Sequence, residues 1–387
     1  MTAILLLIFA TLATIYFLVG YPLLLHWIPW RHSPAILKDR RHQPTVSVLL
    51  AVHNGEAFIR TKLETLLSLH YPQSRVQILV ISDGSTDGTN GIVREFAQRG
   101  VELIEVARGG KSAALNRGLE QATGEILFFT DVRQPLDADA LSHLMANFAD
   151  PTVGAVTGEL KYLNAEVGEQ ADLGLYWRYE VWARDRHSRI DSVFSTTGCI
   201  YAMRRSLAGP IPDDTLTDDV VIPQRAFFRG YRVIFDAAAV AYDHPPVAGT
   251  EFRRRLRTSA GVWQAHVRTP QLFLNSNRMR LHFLSHKTGR LVLPWTILAM
   301  GISTYALPAS PLRAFLLGGQ IAVLALAALD IWLPKGFILK RFSSPARTFV
   351  VMNIAVMMSI VVFFISPQAL WGTTQVNQKA SVEQPVV

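Results

Sequence analysis

Between Met1 and Trp30 the sequence contains no Asp, Glu, Lys or Arg. A helix of about 20 apolar residues crosses the hydrocarbon core of a bilayer, so this stretch is long enough to span one. A cleaved signal peptide would need a basic leading segment and a shorter apolar run. Three more apolar stretches follow a polar middle, at residues 291–307, 312–333 and 349–365. Half of the 387 residues are apolar and the mean hydropathy is +0.22, which sets the chain apart from ordinary soluble domains.

The basic residues orient these stretches. Arg31, Lys38, Arg40 and Arg41 follow the first, and Lys335, Lys340, Arg341 and Arg347 lie between the last two. Lys and Arg collect on the cytoplasmic side of spans. The expected topology therefore has both termini outside, residues 31–290 inside, 308–311 outside and 335–347 inside. The formal charge of +8 then belongs to membrane flanks, and no nucleic-acid partner is expected. The single cysteine, Cys199, excludes an intrachain disulfide and suits a reducing compartment.

The polar middle alternates. Val46–Val52 is a β-branched apolar run closed by Asn54-Gly55, and helical spacing of Phe58, Ile59, Leu63, Leu66 and Leu67 follows. Residues 76–82, 101–106 and 126–130 read as further strands, with helices from about Asn90 and over residues 111–122. Alternating elements of this kind predict a mostly parallel, Rossmann-like α/β sheet. Ligands of such sheets bind beyond the carboxyl ends of the strands, where Asn54, Asp83 and Asp131 stand. The expected organisation is a spanning helix (1–30), a basic linker (31–44), an α/β domain (45–270), an interfacial segment (271–290), about three spans (291–367) and a tail (368–387).

Taken singly, the motifs leave alternatives open. Asp83-Gly84 is either a turn or a carboxylate facing a base or ribose. Gly109-Gly110-Lys111 at a helix start either holds an anion through free amides or leaves a solvated lysine in a turn. Asp131 at a strand end suits a divalent cation shared with phosphates. Asp218 and Asp219 are either a tuned acid pair or two solvated loop acids.

Together they form an ordered set. Val-His-Asn-Gly-Glu (52–56), Ser-Asp-Gly-Ser-Thr-Asp-Gly-Thr (82–89), Gly-Lys-Ser-Ala-Ala-Leu-Asn-Arg-Gly-Leu (110–119), Phe-Thr-Asp (129–131), Gly198-Cys199-Ile200-Tyr201-Ala202, Thr217-Asp218-Asp219 and Gly230-Tyr231-Arg232-Val233 occur in sequence. This order resembles membrane-integrated family 2 glycosyltransferases with a GT-A nucleotide-sugar domain. The resemblance implies an inverting transferase of hexosyl or N-acetylhexosaminyl type in the inner membrane, with its catalytic domain cytoplasmic. Its donor would be a UDP-linked sugar and its acceptor lipid-linked or a polysaccharide. It implies nucleotide-sugar contacts at Asn54, Glu56, Asp83, Lys111 and Asp131, a general base at Asp219, and Mg2+ or Mn2+ at Asp131.

Two departures stand out. Arg133 replaces the family's usual second acid, so either Asp131 with water holds the ion or Arg133 shares in neutralising phosphate. The family's Gln-x-x-Arg-Trp motif is reduced to Arg257, with Arg254 and Thr258 at its other positions. Arg254, Arg257, Arg133, Gly198 and Trp263 are the diphosphate or acceptor candidates; for Trp263, core packing is the equal alternative. A processive polysaccharide synthase, or a non-catalytic assembly subunit that only binds the nucleotide sugar, are the competing readings.

Overall fold

The computed structural model describes residues 1–28, 33–163, 169–244, 250–334 and 336–370. Arg31, Lys335 and the tail beyond 370, which entered the sequence argument, lie outside these residues, as do the side chains of 169–176 and 368. The chain divides into two compact units. One comprises residues 31–164 and 181–245, and the other residues 1–30, 165–180 and 246–387.

The first unit is built on a seven-stranded sheet: β1 (Val46–Val52), β2 (Val76–Asp83), β3 (Val101–Val106), β4 (Ile126–Phe129), β5 (Val153–Tyr162), β6 (Tyr201–Arg204) and β7 (Arg232–Asp243). The strand order is β3-β2-β1-β4-β6-β5-β7. β1 through β4 pair in parallel, whereas β6 runs antiparallel to both β4 and β5. Near-continuous apolar runs are what strands covered on both faces require. Val48, Leu49, Leu50, Leu79, Val80, Ile81, Leu127 and Phe128 accordingly lie in the core. The helix Lys111–Gln121 lies so close to the sheet that a Cβ on Gly118 would stand 2.8 Å from Ile81 Cδ1.

The expected strands at 46–52, 76–82, 101–106 and 126–130 agree with β1–β4 to within a residue or two. β5, β6 and β7 carry no comparable sequence signal. β5 contains Gly154 and Gly158, β6 is four residues long, and β7 runs through Ala237, Ala238 and Ala239. Gly and Ala are depleted in strands, and only pairing with neighbours stabilises such segments there.

The second unit is helical. Among the described residues, three of its helices are long and apolar enough to cross a membrane: Thr2–Trp27, Pro311–Leu329 and Lys340–Phe363. Phe9, Leu12, Phe315 and Ile321 are exposed on them, as lipid-facing residues would be. The expected span at 291–307 is the helix Gly289–Tyr305, whose 17 residues reach only about 26 Å at 1.5 Å per residue. The second half of the expected interfacial stretch 271–290 is helical too, running from Arg280 through a π-turn at Leu284–Thr288. Thr250–Arg268, expected within the α/β domain, packs in this helical unit against Lys340–Met358. Among its buried residues Ser259, Ala260 and Gly261 are small, which allows a close helix approach.

Candidate active site

The loops beyond β1 and β2 are bonded to each other. Asn54 adopts a left-handed conformation (φ 49°), which asparagine tolerates better than most residues. Its Oδ1 accepts from the Thr86 amide at 2.8 Å, and its own amide donates to Ser85 Oγ at 3.1 Å. Glu56 Oε2 accepts from the Gly88 amide at 2.9 Å, while the Glu56 amide donates to Asp87 Oδ2 at 3.1 Å. Asn54 and Glu56 thus shape this rim through the 85–88 turn.

Asp83 is both turn residue and hub. It is buried, and its Oδ1 accepts from the Gly109 amide at 2.7 Å and the Gly110 amide at 3.1 Å. Oδ2 accepts from Gly110 at 3.0 Å and from the Arg108 guanidinium. The expectation of free amides at Gly109-Gly110 is therefore corrected: Asp83 occupies both, because a buried carboxylate must have its lone pairs satisfied. Gly84 (φ 62°) permits this closure, since a Cβ there would meet the Arg108 backbone at 2.9 Å.

Lys111 is not a solvated lysine. Its side chain is 22% exposed and its Nζ lies 2.9 Å from Asp131 Oδ1 and 3.1 Å from Asp218 Oδ1. Burial works against the ammonium, but the Asp131 and Asp218 carboxylates outweigh it, so its pKa is raised and the charge is firmly held.

Nor are Asp218 and Asp219 solvated loop acids. Both lie in the first turn of the helix Asp218–Phe228, where the helix dipole favours anions. Asp218 is 5% exposed and accepts from the Tyr201 hydroxyl at 3.3 Å. The Tyr201 ring stacks on Phe129 at 4.5 Å, which fixes that hydroxyl. Burial and the neighbouring Asp218 push Asp219 up to about 6, against the pull of Lys111. Gly198 faces Asp219, so that a Cβ there would stand 3.6 Å from Oδ2. The Asp219 carbonyl accepts from the amide and the hydroxyl of Thr196, both at 2.9 Å. Asp131, Asp218 and Asp219 all act electrostatically on the single ammonium of Lys111.

Arg133 points elsewhere. Its Nη2 donates to buried Asp243 Oδ2 at 2.6 Å, and Gln134 Nε2 reaches the same oxygen at 2.8 Å. Sharing in phosphate neutralisation would require Arg133 to leave that pair. Among the described residues no three His, Cys, Asp or Glu side chains group as a metal cage. The carboxylates of Asp131, Asp218 and Asp219 gathered about Lys111 nevertheless suit a divalent ion held by Asp131 and completed by substrate phosphates, the usual manner for Mg2+.

Comparison with known proteins draws these observations together. Residues 47–209 match the family model described as Glycosyl transferase family 2. The chain carries a family 2 glycosyltransferase domain. The transferase is 25% identical over 295 residues to a poly-β-1,6-N-acetyl-D-glucosamine synthase of Staphylococcus epidermidis, covering 72% of this chain and 70% of that one. It is 27% identical over 288 residues to a β-monoglucosyldiacylglycerol synthase of Nostoc sp., covering 71% of this chain and 58% of that one. In structure it is similar to a mannosyltransferase from Pyrobaculum calidifontis solved with GDP-Man and Mn2+. That match has a TM-score of 0.69 and 24% identity, covering 92% of this chain and 98% of that one. The likeness establishes the transferase's GT-A fold.

Of the expected site residues, Asn54, Glu56, Asp83, Lys111, Asp131, Arg133, Gly198 and Asp219 all lie in the sheet unit. Arg254, Arg257 and Trp263 lie in the helical unit, where Arg254 pairs with Glu251 at 3.0 Å and the Trp263 ring packs near Phe363 at 6.2 Å. Sequence reasoning missed Arg108 and Tyr201 as partners of the acids. Arg108 directly precedes the glycine pair, and Tyr201 lies within the Gly198–Ala202 motif, the signals that mark them in the sequence.

Proposed function

We propose that the protein is an inverting transferase that moves a sugar from a UDP-sugar to a lipid-linked or polysaccharide acceptor at the cytoplasmic face of the inner membrane. The observation that carries this reading is the acid group around Lys111, in which Asp219 is buried against Asp218 and pushed up to about 6. The acceptor hydroxyl must lose its proton as it attacks the anomeric carbon. Asp219, deprotonated at neutral pH but with a raised affinity for protons, is suited to take it. The anomeric carbon–oxygen bond to the diphosphate breaks as the new glycosidic bond forms. One base and no enzyme nucleophile give a single displacement, hence inversion, by the same geometric logic as inverting glycosidases.

Lys111 and Asp131 would meet the diphosphate, and a divalent cation at Asp131 would supply charge neutralisation of the leaving group. Asn54, Glu56 and Asp83 would line the nucleoside end. For Asp83 this requires the Arg108 side chain to yield its place to the base. The three candidate spans and the similarity to a lipid glycosyltransferase support an acceptor presented at the bilayer surface. Similarity to a poly-β-1,6-N-acetyl-D-glucosamine synthase favours a second reading, processive elongation.

The test is a panel of nucleotide sugars with diphosphate release as readout, run on wild type and on Asp219→Asn. Asp219→Asn should bind donor nearly normally and lose ~10²- to 10⁴-fold in turnover. Wild-type protein that binds a donor yet never turns it over would leave only the assembly-subunit reading. Product length separates single addition from processive synthesis.

A further inference from the structure

In the helix Glu56–Leu67 the buried positions are Ile59, Lys62, Leu63 and Leu66. This is the i, i+3, i+4, i+7 stripe that faces a core, and a lysine stands within it. Lys62 is 2% exposed. Its Nζ donates to Thr130 Oγ1 at 2.7 Å and to the Gln134 carbonyl at 2.6 Å. Thr130 Oγ1 in turn donates to the Cys199 carbonyl at 2.8 Å, and Gln134 Nε2 donates to Asp243.

Burying an ammonium against neutral acceptors is costly. Burial pushes Lys62 down to about 8, with Asp131 among the groups that oppose the shift. Its two acceptors bracket Asp131: Thr130 precedes it, and Gln134 follows it by three residues. One ammonium therefore ties both ends of the segment that carries the acid.

We propose that Lys62 is a positioning residue for donor transfer, clamping residues 130–134 so that Asp131 presents its carboxylate to the diphosphate and its cation. The proposal rests on the transferase reading above. Partners that orient a metal-binding side chain typically contribute 10- to 100-fold in affinity. Lys62→Met, which takes the donor from the Gln134 carbonyl, should still fold, with a melting temperature lowered by a few degrees at most. Its affinity for Mn2+, titrated by electron paramagnetic resonance in the presence of UDP, should weaken by roughly tenfold. Its donor KM should rise by more than its kcat falls. Thr130→Val, which removes one acceptor at nearly constant volume, should change both quantities in the same direction by a smaller factor.

Binding and KM within twofold of wild type in both variants would overturn the clamp. If Lys62→Met does not fold, Thr130→Val decides alone. Wild-type protein that binds neither UDP nor Mn2+ would instead overturn the reading of a UDP-sugar donor with a divalent cation.

Discussion

The ammonium of Lys111 lies 2.9 Å from the carboxylate of Asp131, joining the start of the helix Lys111–Gln121 to the end of β4. A donor diphosphate arriving at Asp131 with its cation must share that carboxylate with the lysine. Lys111→Met removes the cation that pairs with both Asp131 and Asp218. Donor KM should rise by about an order of magnitude, as expected for the loss of a charge-assisted contact. The raised proton affinity of Asp219 should also increase, because Lys111 opposes it. Donor titrations and pH profiles of the variant check both effects.

The pH dependence follows from Asp219. Burial and Asp218 raise it from 3.8 to about 6, while Lys111 and Arg184 oppose the shift and Asp131 adds to it. A base must be unprotonated, so kcat/KM should fall about tenfold per pH unit below that value. Stability has the opposite sign. Its folded value exceeds the unfolded one, so protonation favours the fold and this contribution is lost as pH rises from about 4 to about 6. Asp218→Asn should move the acidic limb of the rate profile to lower pH. An unmoved limb would mean that another group governs it.

Gly198 sets the space in front of Asp219. A Cβ would make ordinary van der Waals contact at 3.6 Å, so Gly198→Ala should retain most activity. Gly198→Leu should place its branch over the carboxylate and depress turnover at least 100-fold, within the range for a lost general base. Initial rates at saturating donor, beside circular dichroism of both variants, separate occlusion from unfolding.

Asp131 and Arg133 should give contrasting phenotypes. Asp131→Ala should abolish the response of the rate to added Mn2+ and leave the melting temperature nearly unchanged. Arg133→Ala removes the ion-pair partner of buried Asp243 and leaves the Gln134 hydrogen bond. It should destabilise by about 2 kcal/mol, below the full cost of breaking a buried pair because the arginine is partly exposed. Thermal melts and Mn2+ titrations of the two variants read this directly.

Membrane orientation is open to labelling, because Cys199 is buried and contributes little background. Ile338, 78% exposed, lies in the basic loop. A cysteine there should resist a membrane-impermeant maleimide applied from outside, whereas one at Gln378 should react. The reverse pattern would invert the topology and move the transfer chemistry to the outer face.

The sequence by itself determined β1 to β4, the apolar stretches and the carboxylates beyond the strand ends. Each of these is a local property, readable from apolar runs and from what terminates them. The weaker strands β5 to β7 became legible only through their pairing, because glycine and alanine give no local preference for a strand. The partners of the polar groups were likewise decided by tertiary structure. Asp83 takes the amides of Gly109 and Gly110, and Arg133 turns to Asp243, 110 residues away. Lys62 lies buried beneath Thr130 and Gln134 rather than in solvent. Sequence spacing carries no record of such choices. A buried polar group takes whichever complementary group the packed fold brings within about 3 Å, and that follows from where distant elements meet.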